Sequence, residues 1–342
     1  MRQRRQVLRP STKGLPAVCH RVADSPEIVA VVTFLLIFVF FAARAKEFLS
    51  AYAISNFLTF GAVYGVLVIG VAFLMIAGEF DLSVGSNMAV AMYILVLLLL
   101  ARVPPLIAMC AALVASAALG LINGLLVTNS RIPSFIVTLG SMLAYRGLAR
   151  FLGKGNLINY SIKDRPVLFD LLNGYMYWPN DLFQPPANFR TSIFWFLALV
   201  ILMTIVLTRS RFGNWVFASG GAPHAALAQG VPVKRVKLVC LVLSGLSAGF
   251  AGMLFFSHRL SVNPLTGYGS ELLAVTAAVI GGVRLTGGYG AIVGAAVGVI
   301  LLSMLEQGLT SMGIAQEVFE ATTGLILILA MLVNTTLGGR GD

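Results

Sequence analysis

Apolar and polar positions fall in long alternating blocks along this chain, and the apolar blocks have the length of membrane spans. A bilayer core of about 30 Å takes about 20 helical residues. Ten segments are candidates: about Ile28–Ala43, Ile54–Ala77, Ser86–Ala101, Pro104–Thr128, a fifth beginning near Pro133, Thr191–Thr208, Val236–Phe256, Glu271–Gly282, Gly288–Leu305 and Thr322–Val333. The last three are short for independent spans. The pattern predicts an all-α integral membrane protein of about ten transmembrane helices, some of them broken. It divides the chain into an N-terminal segment over 1–27, a transmembrane domain over 28–334 and a tail over 335–342. Polar stretches at 150–190 and 209–236 interrupt the transmembrane domain.

Composition agrees with this division. The chain is 58% hydrophobic and 11% charged, against roughly 25% charged for a soluble domain. Its mean hydropathy is +0.91. The 35 glycines suit close helix packing, where small residues let backbones approach. The net charge of +11 does not point to nucleic acid, because the basic residues sit in short segments between apolar runs, where positive charge sets membrane orientation. Cys19, Cys110 and Cys240 are widely separated and odd in number, so neither a disulfide framework nor a metal site is indicated.

Arg2, Arg4, Arg5, Arg9, Lys13 and Arg21 place the N-terminus in the cytoplasm by the positive-inside rule. Ten crossings return the C-terminus to the same side. They also put Arg209, Arg211, Lys234, Arg235 and Lys237 inside and the 150–190 stretch outside. Ala43-Arg44-Ala45 resembles a small-residue cleavage site. The basic leader and the apolar run are both long for a signal peptide, so an uncleaved first helix is the expectation.

Two interruptions resemble each other: IAGEFDLSVG over Ile76–Gly85 and IGGVRLTGG over Ile280–Gly288, with one gap. Gly78, Glu79, Asp81, Ser83 and Gly85 in the first, and Gly281, Gly282, Gly287 and Gly288 in the second, read as turns of broken helices in an internal repeat. Chance recurrence of Gly-Ser/Thr turns is the competing explanation, and Asp81 is also accounted for as a helix cap. The 209–236 stretch reads as turn, short helix, turn. Gly220 and Gly221 open it, Pro223 suits a first helical turn, and Gly230 with Pro232 stops it. A helix this short is marginal alone in water, so docking onto another protein would explain it; a plain surface turn is the alternative.

The chain resembles the permeases of ribose-type sugar ABC importers, within the branched-chain amino acid/ribose permease superfamily, over nearly all of Ser55–Asn334. The motifs are GEFDLSVGS at Gly78–Ser86, RIPSFIVTLGSMLAYRGLAR at Arg131–Arg150 and AAVIGGVRLTGGYGAIVGAAVG at Ala277–Gly298. In such importers a cytoplasmic helix with Ala-Ala, three residues, Gly couples the permease to its ATPase; Ala225-Ala226 and Gly230 fit that spacing. His224 stands where many such loops carry Glu, and Glu79 departs from the common GGIDLSVGS. The resemblance implies a dimer with a second permease copy or paralogue, a cytoplasmic ATPase that holds ATP and magnesium, an extracytoplasmic sugar-binding protein, and residence in a bacterial inner membrane. The chain itself has no GxxxxGK[ST] phosphate loop, and it is not expected to be an enzyme.

An ion-coupled secondary transporter is the rival reading, since it also uses broken helices and a midplane site. Its candidate carboxylates, Glu79, Asp81, Glu271 and Glu306, lie near predicted span ends, where solvated or capping roles are expected. His20, His224 and His258 are scattered, and no paired carboxylates or metal-ligand spacing suggests membrane-embedded catalysis. Asn87, Asn123, Thr138, Ser141 and Thr276 are among the polar positions inside spans and so are candidate pathway residues, with helix-to-helix hydrogen bonding as the alternative role. Tyr175, Tyr177, Trp178 and Pro185-Pro186 make the 150–190 stretch a candidate docking surface or an aromatic interface anchor.

Overall fold

The computed structural model describes residues 26–315, 317–326 and 328. The basic segment up to residue 25, half of the tenth predicted span and the 335–342 tail lie outside the described residues. The described chain is almost wholly helical. Its principal helices are α1 Pro26–Arg44, α2 Ala51–Ile76, α3 Val84–Leu100, α4 Pro105–Asn129 and α5 Ser134–Leu152. After β1 Ile158–Asn159 and the short helices α6 Leu168–Asn173 and α7 Tyr177–Asn180 come α8 Ser192–Arg209, α9 Arg211–Gly221, α10 Pro223–Ala228 and α11 Val233–Arg259. Then follow β2 Ser261–Val262, α12 Ser270–Ile280, α13 Ile292–Ser311 and a helical run over 317–326.

Six of these, α2, α4, α5, α8, α11 and α13, are long and apolar enough to cross a membrane. The apolar parts of α1, α3 and α12 are shorter. Nine of the ten predicted spans thus have a helix at their place, and the described part of the tenth is helical as well. The ninth starts later than the pattern suggests, at Ile292, because Gly287, Gly288 and Gly290 hold the backbone at positive φ and keep the segment before it out of the helix.

Burial sorts the helices. α2 is buried over most of its length and lies at the centre, packed by α8, α11, α12 and α13. α4, α5 and α8 keep mostly exposed apolar faces, as expected where lipid or a second protein replaces water. α11 and α4 approach closely at Gly245 and Gly120, where a Cβ on Gly245 would stand 3.0 Å from Gly120 Cα. Only a residue without a side chain permits that separation.

α8 spans about 27 Å at 1.5 Å per residue, so the segments at its two ends lie at opposite ends of the bundle. At one end, β1 pairs antiparallel with β2, joining Ile158 to Val262 and Asn159 to Ser261. This end carries the 150–190 stretch. At the other end lie α9, α10 and the start of α11.

Candidate functional site

Ser210, in extended backbone, caps α9 by accepting the Gly213 N–H at 3.0 Å. The helix runs unbroken to Gly221. Gly220 and Gly221 therefore close α9 and do not open a turn, which corrects the sequence expectation; no proline stands between the Ser210 cap and Ala222, and the helix-compatible run carries through both glycines. Pro223 begins α10 as predicted, its missing N–H costing nothing in a first turn. Gly230, at φ 82°, ends it. Its N–H donates to the Leu227 carbonyl, and the Val231 N–H to the Ala226 carbonyl, both at 3.0 Å. Within α10 only Ala226 is buried, whereas His224, Ala225 and Leu227 are exposed. The alanine pair thus has one member facing the bundle and one facing outward.

The end of α9 rests on both glycine-rich turns. The Gly288 N–H donates to the Ile76 carbonyl at 2.8 Å, tying the second turn to the end of α2. A Cβ on Gly78 would stand 3.1 Å from Gly220 Cα, and one on Gly287 would stand 2.6 Å from Gly78 Cα. Gly288 packs against Gly221 in the same way. Gly78, Gly287 and Gly288 are also at positive φ, so both space and conformation call for glycine there. The two turns, far apart in sequence, and the α9–α10 segment form one backbone-to-backbone junction. Of the remaining turn glycines, Gly281 packs on Gly294 of α13, Gly282 sits at φ 89°, and Gly85 lies against Gly267 in the first turn of α3.

Polar groups fix the first turn to the bundle. Glu79 Oε1 accepts from Lys237 Nζ at 2.5 Å, linking the turn to the base of α11 just beyond the α10 segment. Lys237 is thus the partner of the residue that departs from the common family motif. Asp81 Oδ1 accepts from the Ser83 N–H at 2.9 Å and from Ser83 Oγ at 2.6 Å, while Oδ2 accepts from Ser244 Oγ of α11 at 2.9 Å. Asn123 Nδ2 donates to Ser83 Oγ at 2.8 Å, and Tyr145 Oη lies 2.9 Å from Asn123 Oδ1. Asp81 therefore collects donors from its own turn and from α11. Glu79, Asp81 and Glu271 are all buried, which corrects the solvated half of the expectation, while the Ser83 N–H bond of Asp81 just before α3 fits the capping half.

The candidate pathway positions are spread over α3, α4, α5 and α12. Asn87 Nδ2 donates to the Ser116 carbonyl across α3 and α4 at 3.1 Å. Thr138 and Thr276 donate within their own helices, to the Ser134 and Leu272 carbonyls. Ser141 is buried on the same helix as Thr138. Asn123 joins the Asp81 network. Their observed bonds are helix-to-helix or local bonds.

At the opposite end, the 150–190 stretch is organised by buried asparagines. Asn173 Nδ2 donates to the Leu254 carbonyl of α11 at 2.9 Å, and the Asn180 side chain bonds both the N–H and the carbonyl of Phe189. Tyr177 and Trp178 project, 73% and 82% exposed. A cleft of about 510 Å³ opens at this end, lined in part by Asn56, Tyr175, Asn188, Arg190, His258 and Arg259. Burial, and then the neighbouring Arg165 charge, lowers the Arg190 guanidinium from its ordinary range.

Sequence reasoning named Lys237 only as an orientation charge and missed Ser244 and Tyr145, whose roles depend on helices meeting in space. It also passed over Arg146, a charge within an apolar span, which is a signal that sequence does carry.

The family model for the branched-chain amino acid transport system / permease component matches residues 53–331. The chain is 28% identical over 306 residues to the ribose import permease protein RbsC of Escherichia coli (strain K12), covering 89% of this chain and 92% of that protein. It is 32% identical over 310 residues to the L-arabinose ABC transporter permease protein AraH of Azospirillum brasilense, covering 89% and 86%. It is 30% identical over 302 residues to the galactose/methyl galactoside import permease protein MglC of Escherichia coli (strain K12), covering 84% and 88%. With apolar helices along its length and a match that runs across them, this multi-pass membrane protein belongs to the branched-chain amino acid transport system / permease component family, among the ribose-type ABC importer permeases.

Proposed function

We propose that this chain is the membrane half of an ATP-driven importer that carries a monosaccharide or a related small polar solute inward across a bacterial cytoplasmic membrane. It works as a dimer with a second permease, hydrolyses no ATP itself, and relies on a cytoplasmic ATPase that holds ATP and magnesium. An extracytoplasmic binding protein delivers the cargo to the 150–190 end. Both termini lie in the cytoplasm. The sugar class rests on the relatives, whose names give ribose, arabinose and galactose.

The observation that carries this reading is the placement of α10. A six-residue helix with only Ala226 buried sits next to the junction where both glycine-rich turns meet. A partner pressing on Ala225 and Leu227 displaces α9 and α10 together, and the Gly220–Gly78–Gly287 contact passes that displacement to the ends of α2 and α12. The Asp81 network and the Glu79–Lys237 pair carry it to α11 and to the first turn of α3. Closure of the ATPases is thereby converted into reorganisation of the broken helices. The motion is of the alternating-access kind.

The test is uptake in vesicles holding the permease, its ATPase and its binding protein. Wild type takes up sugar with ATP, in the presence of a protonophore. Gly230→Val forces a β-branched residue to φ 82° and is expected to hydrolyse ATP with little uptake. Normal uptake by that variant would remove α10 from the coupling role. Uptake abolished by the protonophore and indifferent to ATP would instead establish the ion-coupled reading.

A further inference from the structure

Two opposite charges lie unpaired where the first turns of α3 and α12 meet. Arg146, inside α5, donates from Nε to Ser86 Oγ at 3.3 Å, and its guanidinium carbon stands 5.1 Å from the centre of the Tyr268 ring. Both of its terminal nitrogens are buried without a hydrogen-bond partner. Glu271, 7% exposed, accepts the Gly269 N–H on Oε1, while Oε2 is buried and unpartnered. Gly85 adjoins Ser86, and a Cβ placed there would meet Glu271 Oε2 and the Ser270 hydroxyl. The two charges therefore flank the same turn. Both are described residues, yet they form no ion pair with each other.

Ionisable groups in a membrane interior are strongly disfavoured unless paired or facing a polar pathway. Here the free donors of Arg146 and the free acceptor of Glu271 call for a ligand that satisfies both. An anion would satisfy only the arginine, and a cation only the glutamate. A neutral polyhydroxyl compound satisfies the pair, because one hydroxyl oxygen accepts from the guanidinium while a neighbouring O–H donates to Oε2. Tyr268, 72% exposed, adds an aromatic face for the C–H side of a sugar ring.

We infer that Arg146, Glu271, Ser86 and Tyr268 form a carbohydrate-contact site inside the membrane domain, which holds a pair of cargo hydroxyls in transit. The inference rests on the transport reading above and locates the cargo contact within it.

The experiment uses the complete importer in proteoliposomes, following entry of radiolabelled D-ribose, L-arabinose and D-galactose and ATP hydrolysis in the same vesicles. Arg146→Gln, Glu271→Gln and Tyr268→Ala are each expected to lower the sugar delivered per ATP hydrolysed about tenfold, the size of one lost charge-assisted hydrogen bond or ring contact. Leu272→Ala, at an exposed position next to Glu271, keeps the wild-type ratio. Because Tyr268 is exposed, its variant reports on the site even if the two charge variants fail to fold. An unchanged ratio in Tyr268→Ala and in whichever charge variants fold overturns the site, as does a parallel fall of uptake and hydrolysis, which marks a structural role. A wild-type complex that hydrolyses ATP but moves none of the three sugars overturns the transport reading and the carbohydrate assignment together.

Discussion

Replacing Gly287 with alanine tests whether the two glycine-rich turns and the end of α9 are one mechanical unit. The new Cβ would stand 2.6 Å from Gly78 Cα, 2.9 Å from Gly78 N and 3.1 Å from Gly220 Cα. Carbon atoms prefer separations of about 3.5–4.0 Å, so the methyl group must push at least one segment away. A φ of 80° costs an L-residue about 1–2 kcal/mol, and overpacking against backbone costs about 1–3 kcal/mol. Neither cost is relieved by rotating a side chain, and together they come to about 2–5 kcal/mol. Gly140→Ala is the matched control, with a helical φ and nothing within 4 Å of the added Cβ; it gains about 0.5–1 kcal/mol from the helix preference of alanine. Both can be measured by titrating micelle-solubilised protein with a denaturing detergent and following tryptophan fluorescence, Trp215 lying within α9 itself. A Gly287→Ala protein as stable as wild type within about 0.5 kcal/mol would mean that the three segments do not touch.

Three further outcomes are expected. A double-mutant cycle over Glu79→Gln and Lys237→Met should give a coupling energy of about 1–3 kcal/mol, because both side chains are mostly buried; a value near zero would make the pair incidental. Asn180→Ala leaves the Phe189 N–H without its partner and the Phe189 carbonyl with the Met176 N–H alone, at about 1–3 kcal/mol if the N–H finds no water. Faster hydrogen exchange over residues 174–191 would register it, and unchanged exchange would refute it. In a cysteine-free background, Lys163→Cys should react with a membrane-impermeant maleimide in intact cells, whereas His224→Cys should react only after the membrane is opened; both positions are exposed, and the reverse pattern would invert the proposed orientation.

Much of the architecture was legible because lipid imposes a simple rule: a backbone crossing hydrocarbon must satisfy its own hydrogen bonds, so spans appear as apolar blocks of helical length. The positions of α2, α4, α8 and α11 follow from that rule alone. So does the stop of α10, since Gly230 and Pro232 act locally. The family motifs were equally visible. Other features escaped because their causes lie across the fold. Nothing local marks Gly220 as the contact point for Gly78 and Gly287, and the run of helix-compatible residues after Ser210 competes with the turn that two adjacent glycines suggest. The carboxylates stand near the ends of apolar runs, which suggests solvated or capping roles, yet those ends are breaks within the bundle and are covered by neighbouring helices, so Glu79, Asp81 and Glu271 are buried.

The sequence by itself determined that the chain is a bundle of membrane-crossing helices, where those helices are broken, and which short segment projects from one end, because these depend on the hydropathy and backbone preferences of neighbouring residues. Only the tertiary structure decided that both breaks meet that segment, that Lys237 answers Glu79, and that Arg146 and Glu271 face one turn without pairing. Those relations join residues far apart in sequence, and they are set by which helix faces pack together.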